Sequence, residues 1–245
     1  TEPSRSSRRD RRDREKRHEL EAFHGKDNPE AVKEAWRYLG DEDRALRHAA
    51  RIALEWQDLR YWQEKALQEE DPRKAIAALV ALSRSASKDE PHRGEGYPEP
   101  SKDLQARILQ ALDRIEWEDL EAGDKLDLLR AYELCFTRFG QPGEEIRQGL
   151  VSKFEPLFPG ETREINAELG PILVYLQAPS AAEKLVRVLQ TPPTQEEQID
   201  MARMLRALKT GWTPELRQEY FNWFLRAASF KGGSSMAGFL RDIKN

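Results

Sequence analysis

Cysteine is almost missing from this chain. Cys135 is the only one in 245 residues, which excludes an internal disulfide and any metal site built on several thiolates. Long apolar runs are missing too: nothing approaches the roughly 18 consecutive apolar residues that a membrane-spanning helix needs. No segment alternates polar and apolar residues over the length of a strand. There is no Gly-x-Gly-x-x-Gly, no Gly-x-x-x-x-Gly-Lys-Ser/Thr, no His-Glu-x-x-His and no Cys-x-x-Cys, so the common nucleotide and metal-hydrolase signatures do not apply. No signal peptide is visible. The chain opens on Thr1 rather than methionine, which leads to the expectation that it is a processed product or a piece of a longer protein.

A strong charge of one sign is also absent. Lys and Arg number 40 against 44 Asp and Glu, a net of −4, and this acidic balance argues against a nucleic-acid binder. What the chain has in quantity is charge of both signs. Charged residues make up 34% and hydrophobic ones 38%, a high ratio of surface to core. Elongated helical arrays have that balance, because each layer buries only two faces.

Residues 1–27 read as a charged lead-in. The stretch TEPSRSSRRDRRDREKRHE (1–19) holds no large apolar residue and carries +3, leaving −7 for the rest. A disordered tail or a charged helix laced with i,i+4 pairs is the expectation. A phosphate-binding or membrane-binding arm is the second reading, and the interleaved acids weaken it.

From residue 28 the pattern is helical. Asn28-Pro29 reads as a cap followed by proline at the first helical position. In DEDRALRHAARIALEW (41–56), Leu46, Ala49, Ala50, Ala53 and Leu54 share one face. Twenty-eight residues after AARIAL (49–54) the chain reads AALVAL (77–82), and Asp71 follows Asp43 at the same interval. That is the length of a helix-pair repeat. The stretch LGDEDRALRHAARIAL (39–54) resembles the second helix of HEAT-type repeats, with an acid, a basic residue and then alanine and aliphatic positions. The expected fold is all-α: a HEAT-like α-solenoid of antiparallel helix pairs over residues 28–245, with about a dozen helices. KDEPHRGEGYPEPSKD (88–103) interrupts it as a long loop with Tyr97 as its one core candidate. Pro171 lies inside a helical stripe and is expected to kink it. Thr194 and Glu197 read as a capping box.

Few residues invite chemistry. His18 and His24 lie six apart, so they diverge by about 120° on a helix and share no metal easily. Cys135 sits on an apolar stripe and reads as an inert buried thiol. The acids Glu116, Glu118, Asp119, Glu121 and Asp124 read as a solvated turn. Near the end, YFNWFLRAASFKGGSSMAGFLRDIK (220–244) places six aromatic rings around a glycine turn. Leu216, Tyr220, Trp223, Phe224 and Ala227 form one helical face, which explains the rings as packing. The amides of Gly232, Gly233, Ser234 and Ser235 are the candidate anion site. The candidate partner surface is Arg44, Arg47, Arg51, Trp56 and Tyr97 with the 88–103 loop.

The runs REINAELGPILVYLQAPS (163–180) and PTQEEQIDMARMLRALKTGWTPELRQEYFNWFLRAASFKGGSSMAGFLRDIKN (193–245) resemble a region of large secreted bacterial redox proteins. These are usually described as haem-binding or membrane-bound dehydrogenase proteins. The likeness extends over roughly 104–245 and more weakly from 28. It implies a periplasmic or secreted chain that is a fragment of a multidomain redox protein. It supplies no catalytic residue, and haem attachment by Cys-x-x-Cys-His has no counterpart here, so any haem belongs elsewhere in the parent chain. The expected function is a non-catalytic scaffold or docking domain with protein modules as partners. No cofactor, metal, nucleic acid or membrane span is expected for this segment. Two alternatives remain: a HEAT-like DNA glycosylase, which needs a contiguous basic groove with a tryptophan and an unpaired carboxylate, and a free-standing cytosolic adaptor.

Overall fold

A computed structural model describes residues 8–190, 194–232, 238 and 241–243. Among them there are twelve α-helices, four single 3-10 turns and no β-strand, so the chain is all-α. Backbone contacts divide it into two units, the first ending at Gly143 and the second beginning at Glu144. The 28–245 stretch, expected as one domain, therefore holds a division at its Gly-Gln-Pro-Gly break (140–143), where Gly140 adopts φ +78°.

The first unit contains α1 (Arg8–Glu21), α2 (Glu30–Trp36), α3 (Arg44–Glu55), α4 (Gln63–Gln68), α5 (Pro72–Ala86), α6 (Lys102–Asp113) and α7 (Ala122–Phe139). Although α1 is almost wholly charged, it packs against α3 and buries Leu20. The lead-in is thus joined to the layers through its last turn. At the entry to α2, Asn28 Oδ1 accepts from the Glu30 amide at 3.1 Å.

The two repeated acids have one role. Asp43 Oδ1 accepts from the amides of Ala45 and Leu46 at 2.7 and 3.0 Å, and Asp71 Oδ1 accepts from Lys74 at 3.0 Å. Each satisfies amides that the first turn of a helix leaves unpaired. Behind these caps, Leu46, Ala49, Ala50, Ala53 and Leu54 of α3 are all buried, as are Ala75, Ile76, Ala78, Leu79, Ala81 and Leu82 of α5. Small alanines let the helices approach closely while leucine and isoleucine fill the space between them. The helices pack as pairs α2–α3, α4–α5 and α6–α7, and α5 also lies against both α3 and α7.

Side-chain bonds show that α3, α5 and α7 run in the same direction. Near their starts, Arg73 of α5 donates to Asp124 of α7 at 2.7–3.2 Å. Near their ends, Arg84 of α5 donates to Glu55 of α3 at 2.9 Å, and Ser87 donates to the Arg138 carbonyl of α7 at 2.8 Å. Parallel second helices, each joined to an antiparallel first helix, are the geometry of stacked helix-pair repeats.

The 88–101 segment is pinned rather than free. Consecutive carbonyls at the end of α7 accept from side chains on either side of the loop. Arg93 and Ser87 donate to Arg138, Lys102 to Phe139 and Gln141, and Gln105 to Gly140. The carbonyls that a helix end leaves open are thereby satisfied.

The second unit contains α8 (Glu144–Phe154), α9 (Arg163–Tyr175), α10 (Ala181–Gln190), α11 (Gln195–Leu205) and α12 (Pro214–Ala227). Pro171 lies inside helix α9, which continues past it to Tyr175. The Thr194 hydroxyl accepts from the Glu197 amide at 3.2 Å, while the Glu197 carboxylate accepts from that hydroxyl at 2.8 Å. The rings of α12 are consumed by packing. Trp223 is fully buried and donates Nε1–H to Gln198 at 3.0 Å, and the Tyr220 hydroxyl donates to the Ala202 carbonyl at 3.0 Å. Trp223 meets Phe224 and Phe230 edge-on at 5.0 and 6.0 Å between centroids. Phe221 faces outward, 60% exposed.

Candidate anion-binding groove

A helix whose apolar face is buried must present its other residues outward, and the outer faces of α3, α5 and α7 lie side by side. On α3 the outward stripe is Arg44, Arg47, His48 and Arg51. On α5 it is Arg73, Ala77, Val80 and Arg84, with the buried Ile76 beneath them, and on α7 it is Asp124, Asp127, Arg130 and Leu134. Together these residues line an open cavity of about 330 Å³.

Six arginines and one histidine face two carboxylates there. The sequence interleaves basic and acidic residues along the chain, but the helices sort them by face and bring six arginines to one side.

The arginines are committed to different degrees. Arg73 is held by Asp124. Arg51 and Arg84 share Glu55, and Arg130 lies 3.7 Å from Asp127. Arg47 donates Nη1–H to the backbone carbonyls of Asp41 and Glu42 at 2.6 and 3.0 Å, which orients it without neutralising it. Arg44, exposed at the first position of α3, has no hydrogen-bond or ion-pair partner among the described residues. Partial burial pushes the Arg51 guanidinium below its ordinary value, with Glu55 opposing. Burial and then the neighbouring Arg51 push His48 down as well. His48 Nδ1 accepts from Arg51 at 3.3 Å. Two cations, Arg44 and Arg47, thus stand at one end of the groove with no carboxylate partner among the described residues. A guanidinium in that state binds carboxylate or phosphate oxygens through its paired donors.

Of the five residues singled out from the sequence as a partner surface, Arg44, Arg47 and Arg51 line the groove. Trp56 ends α3 outside it, 55% exposed. Tyr97 lies half-buried in the loop, with the Lys88 ammonium 5.4 Å over its ring. Of the glycine-turn anion site, Gly232 is exposed, while Gly233, Ser234 and Ser235 lie outside the described residues. Sequence reasoning missed His48, Arg73, Arg84, Arg130, Asp124 and Asp127 as neighbours. The stripe of α5, with members three, four, seven and eleven residues on from Arg73, was the available signal.

Among the described residues, no group of three or more His, Cys, Asp or Glu side chains is placed to hold a metal ion. No described helix is long and apolar enough to cross a membrane. Cys135 is buried and its thiol is pushed up to about 12 by that burial. No protein-family model, curated protein or solved structure matches the chain.

Proposed function

We propose that this chain is a non-catalytic helical-repeat docking domain, and that its first unit holds an anionic partner in the arginine groove. The single observation that carries the reading is the gathering of six arginines into one cavity of a chain whose net charge is −4. A helical array supports docking physically, because stacked pairs present a rigid surface and place neighbouring modules at fixed separation. The proposed setting is a secreted multidomain protein with redox neighbours. That setting rests on the likeness of residues 104–245 alone, and a cytosolic adaptor would use the groove in the same way.

The glycosylase reading is less well supported. No tryptophan lines the groove, and Asp124 is engaged by Arg73 rather than standing unpaired. Titration of the full chain with a fluorescent polyglutamate peptide tests the docking reading. Salt-sensitive binding is expected, weakened about tenfold or more by Arg44→Glu with Arg47→Glu. Equal binding of a polylysine control, or no binding at low salt, would remove the reading.

A further inference from the structure

The groove has two chemistries in one cavity, and both must be matched by whatever fills it. Resting on the docking reading, we infer that its occupant is an acidic peptide segment carrying an aliphatic side chain between its carboxylates.

Along α5, the aliphatic residues Ile76, Ala77 and Val80 lie between Arg73 and Arg84, and Leu134 of α7 joins them. Ala77, Val80 and Leu134 are half-buried while Ile76 beneath them is buried, so the floor offers apolar surface still in contact with water. Covering it with another apolar group is favourable, because that surface then leaves water. An inorganic anion gains nothing from such a floor. A nucleic acid gains less from it, because no tryptophan, tyrosine or phenylalanine lines the cavity to stack a base. A valine, isoleucine or leucine side chain fits it.

The cations set where the carboxylates go. Arg44 and Arg47 take the first, since no carboxylate holds them among the described residues. Arg84 lies toward the other end of the helices and Arg130 at the middle of α7, and they share their charge with Glu55 and Asp127. From Arg44 to Arg51 is about 10 Å along the helix axis, the span of about three residues of extended chain. The expected segment therefore has acids about three to five residues apart with an aliphatic residue between. The walls Asp124 and Asp127 repel a uniformly anionic polymer, which favours separated carboxylates over a continuous row of phosphates.

The test uses the full chain and fluorescence anisotropy. The probes are a peptide with Asp and Glu flanking Val and Leu, the same peptide with serine for the aliphatics, and a fluorescent DNA duplex, each with inorganic phosphate as competitor. The expected result is binding of the acidic–aliphatic peptide several-fold tighter than its serine counterpart. Arg44→Glu, at an exposed position without a partner, is expected to weaken both peptides about tenfold. Val80→Thr is expected to remove the preference for the aliphatic peptide, with unchanged circular dichroism. Should Val80→Thr disturb folding, Ala77→Ser reads the same preference at a half-exposed position. Equal binding of the two peptides overturns this inference and leaves the docking reading standing. Tighter binding of the duplex, or full displacement of peptide by phosphate, overturns it in favour of another anion. A dimer of the chain that Arg44→Glu disperses would assign the groove to a second copy instead. Binding of none of the probes removes both readings.

Discussion

Cys135 and Tyr132 show how far burial alone changes the chemistry of a side chain. Both sit on the inner stripe of α7 without exposure. Burial pushes the thiol up to about 12 and the phenol well above its ordinary value, because neither anion is solvated there. In the unfolded chain the two groups titrate at about 8.5 and 10. Their folded values are raised, so the stability they contribute is complete below the unfolded values and is lost as pH rises toward about 12. Urea unfolding between about pH 8 and pH 11 is therefore expected to show falling stability, with a shallower slope for Cys135→Ala and a remainder due to Tyr132. An unchanged slope in that variant would contradict the burial of the thiol. A thiol reagent is likewise expected to react with Cys135 only as fast as the chain opens. The position of Cys135 between Leu134 and Phe136 on an apolar stripe made this readable from sequence.

The helices divide into what their own residues specify and what distant partners supply. The caps at Asp43, Asp71 and Thr194 are local, each bonding amides within three residues of itself. They were legible for that reason. The fastening of the 88–101 segment was not, because Arg93 and its acceptor at Arg138 lie 45 residues apart. Lys102 is the centre of that clamp, with Nζ 2.7 Å from the Phe139 carbonyl and 2.9 Å from that of Gln141. Lys102→Met is expected to cost about 1–3 kcal/mol, since it leaves two carbonyls without their charged donor. Amide exchange in residues 88–101 and at the end of α7 should quicken in that variant. Exchange that is unchanged there would mean that the loop is held by other contacts.

For the chain taken as a whole, the division after Gly143 is the feature that can be measured. Each unit buries its own leucines, alanines and aromatic rings, from Leu20 to Phe139 in the first and from Leu150 to Ala227 in the second. A unit with its own core can fold alone. Residues 1–143 and 144–245, produced separately, are each expected to show helical circular dichroism and a cooperative thermal transition. A piece that is unfolded by itself would show that the two stretches share one core. The first piece is also expected to keep the peptide binding of the full chain, since every residue lining the groove belongs to it.

Helical class, repeat length, caps and most of the buried faces were written in local order. A 3.6-residue period and a capping side chain act over a single turn, so they need no knowledge of the rest of the chain. The groove was not written that way. Arg44, Arg47 and Arg51 could be found on one helix, but Arg73, Arg84 and Arg130 join them only because α3, α5 and α7 lie parallel. Charge that cancels along the chain need not cancel in space, since packing sorts residues by the face they occupy and disregards their order.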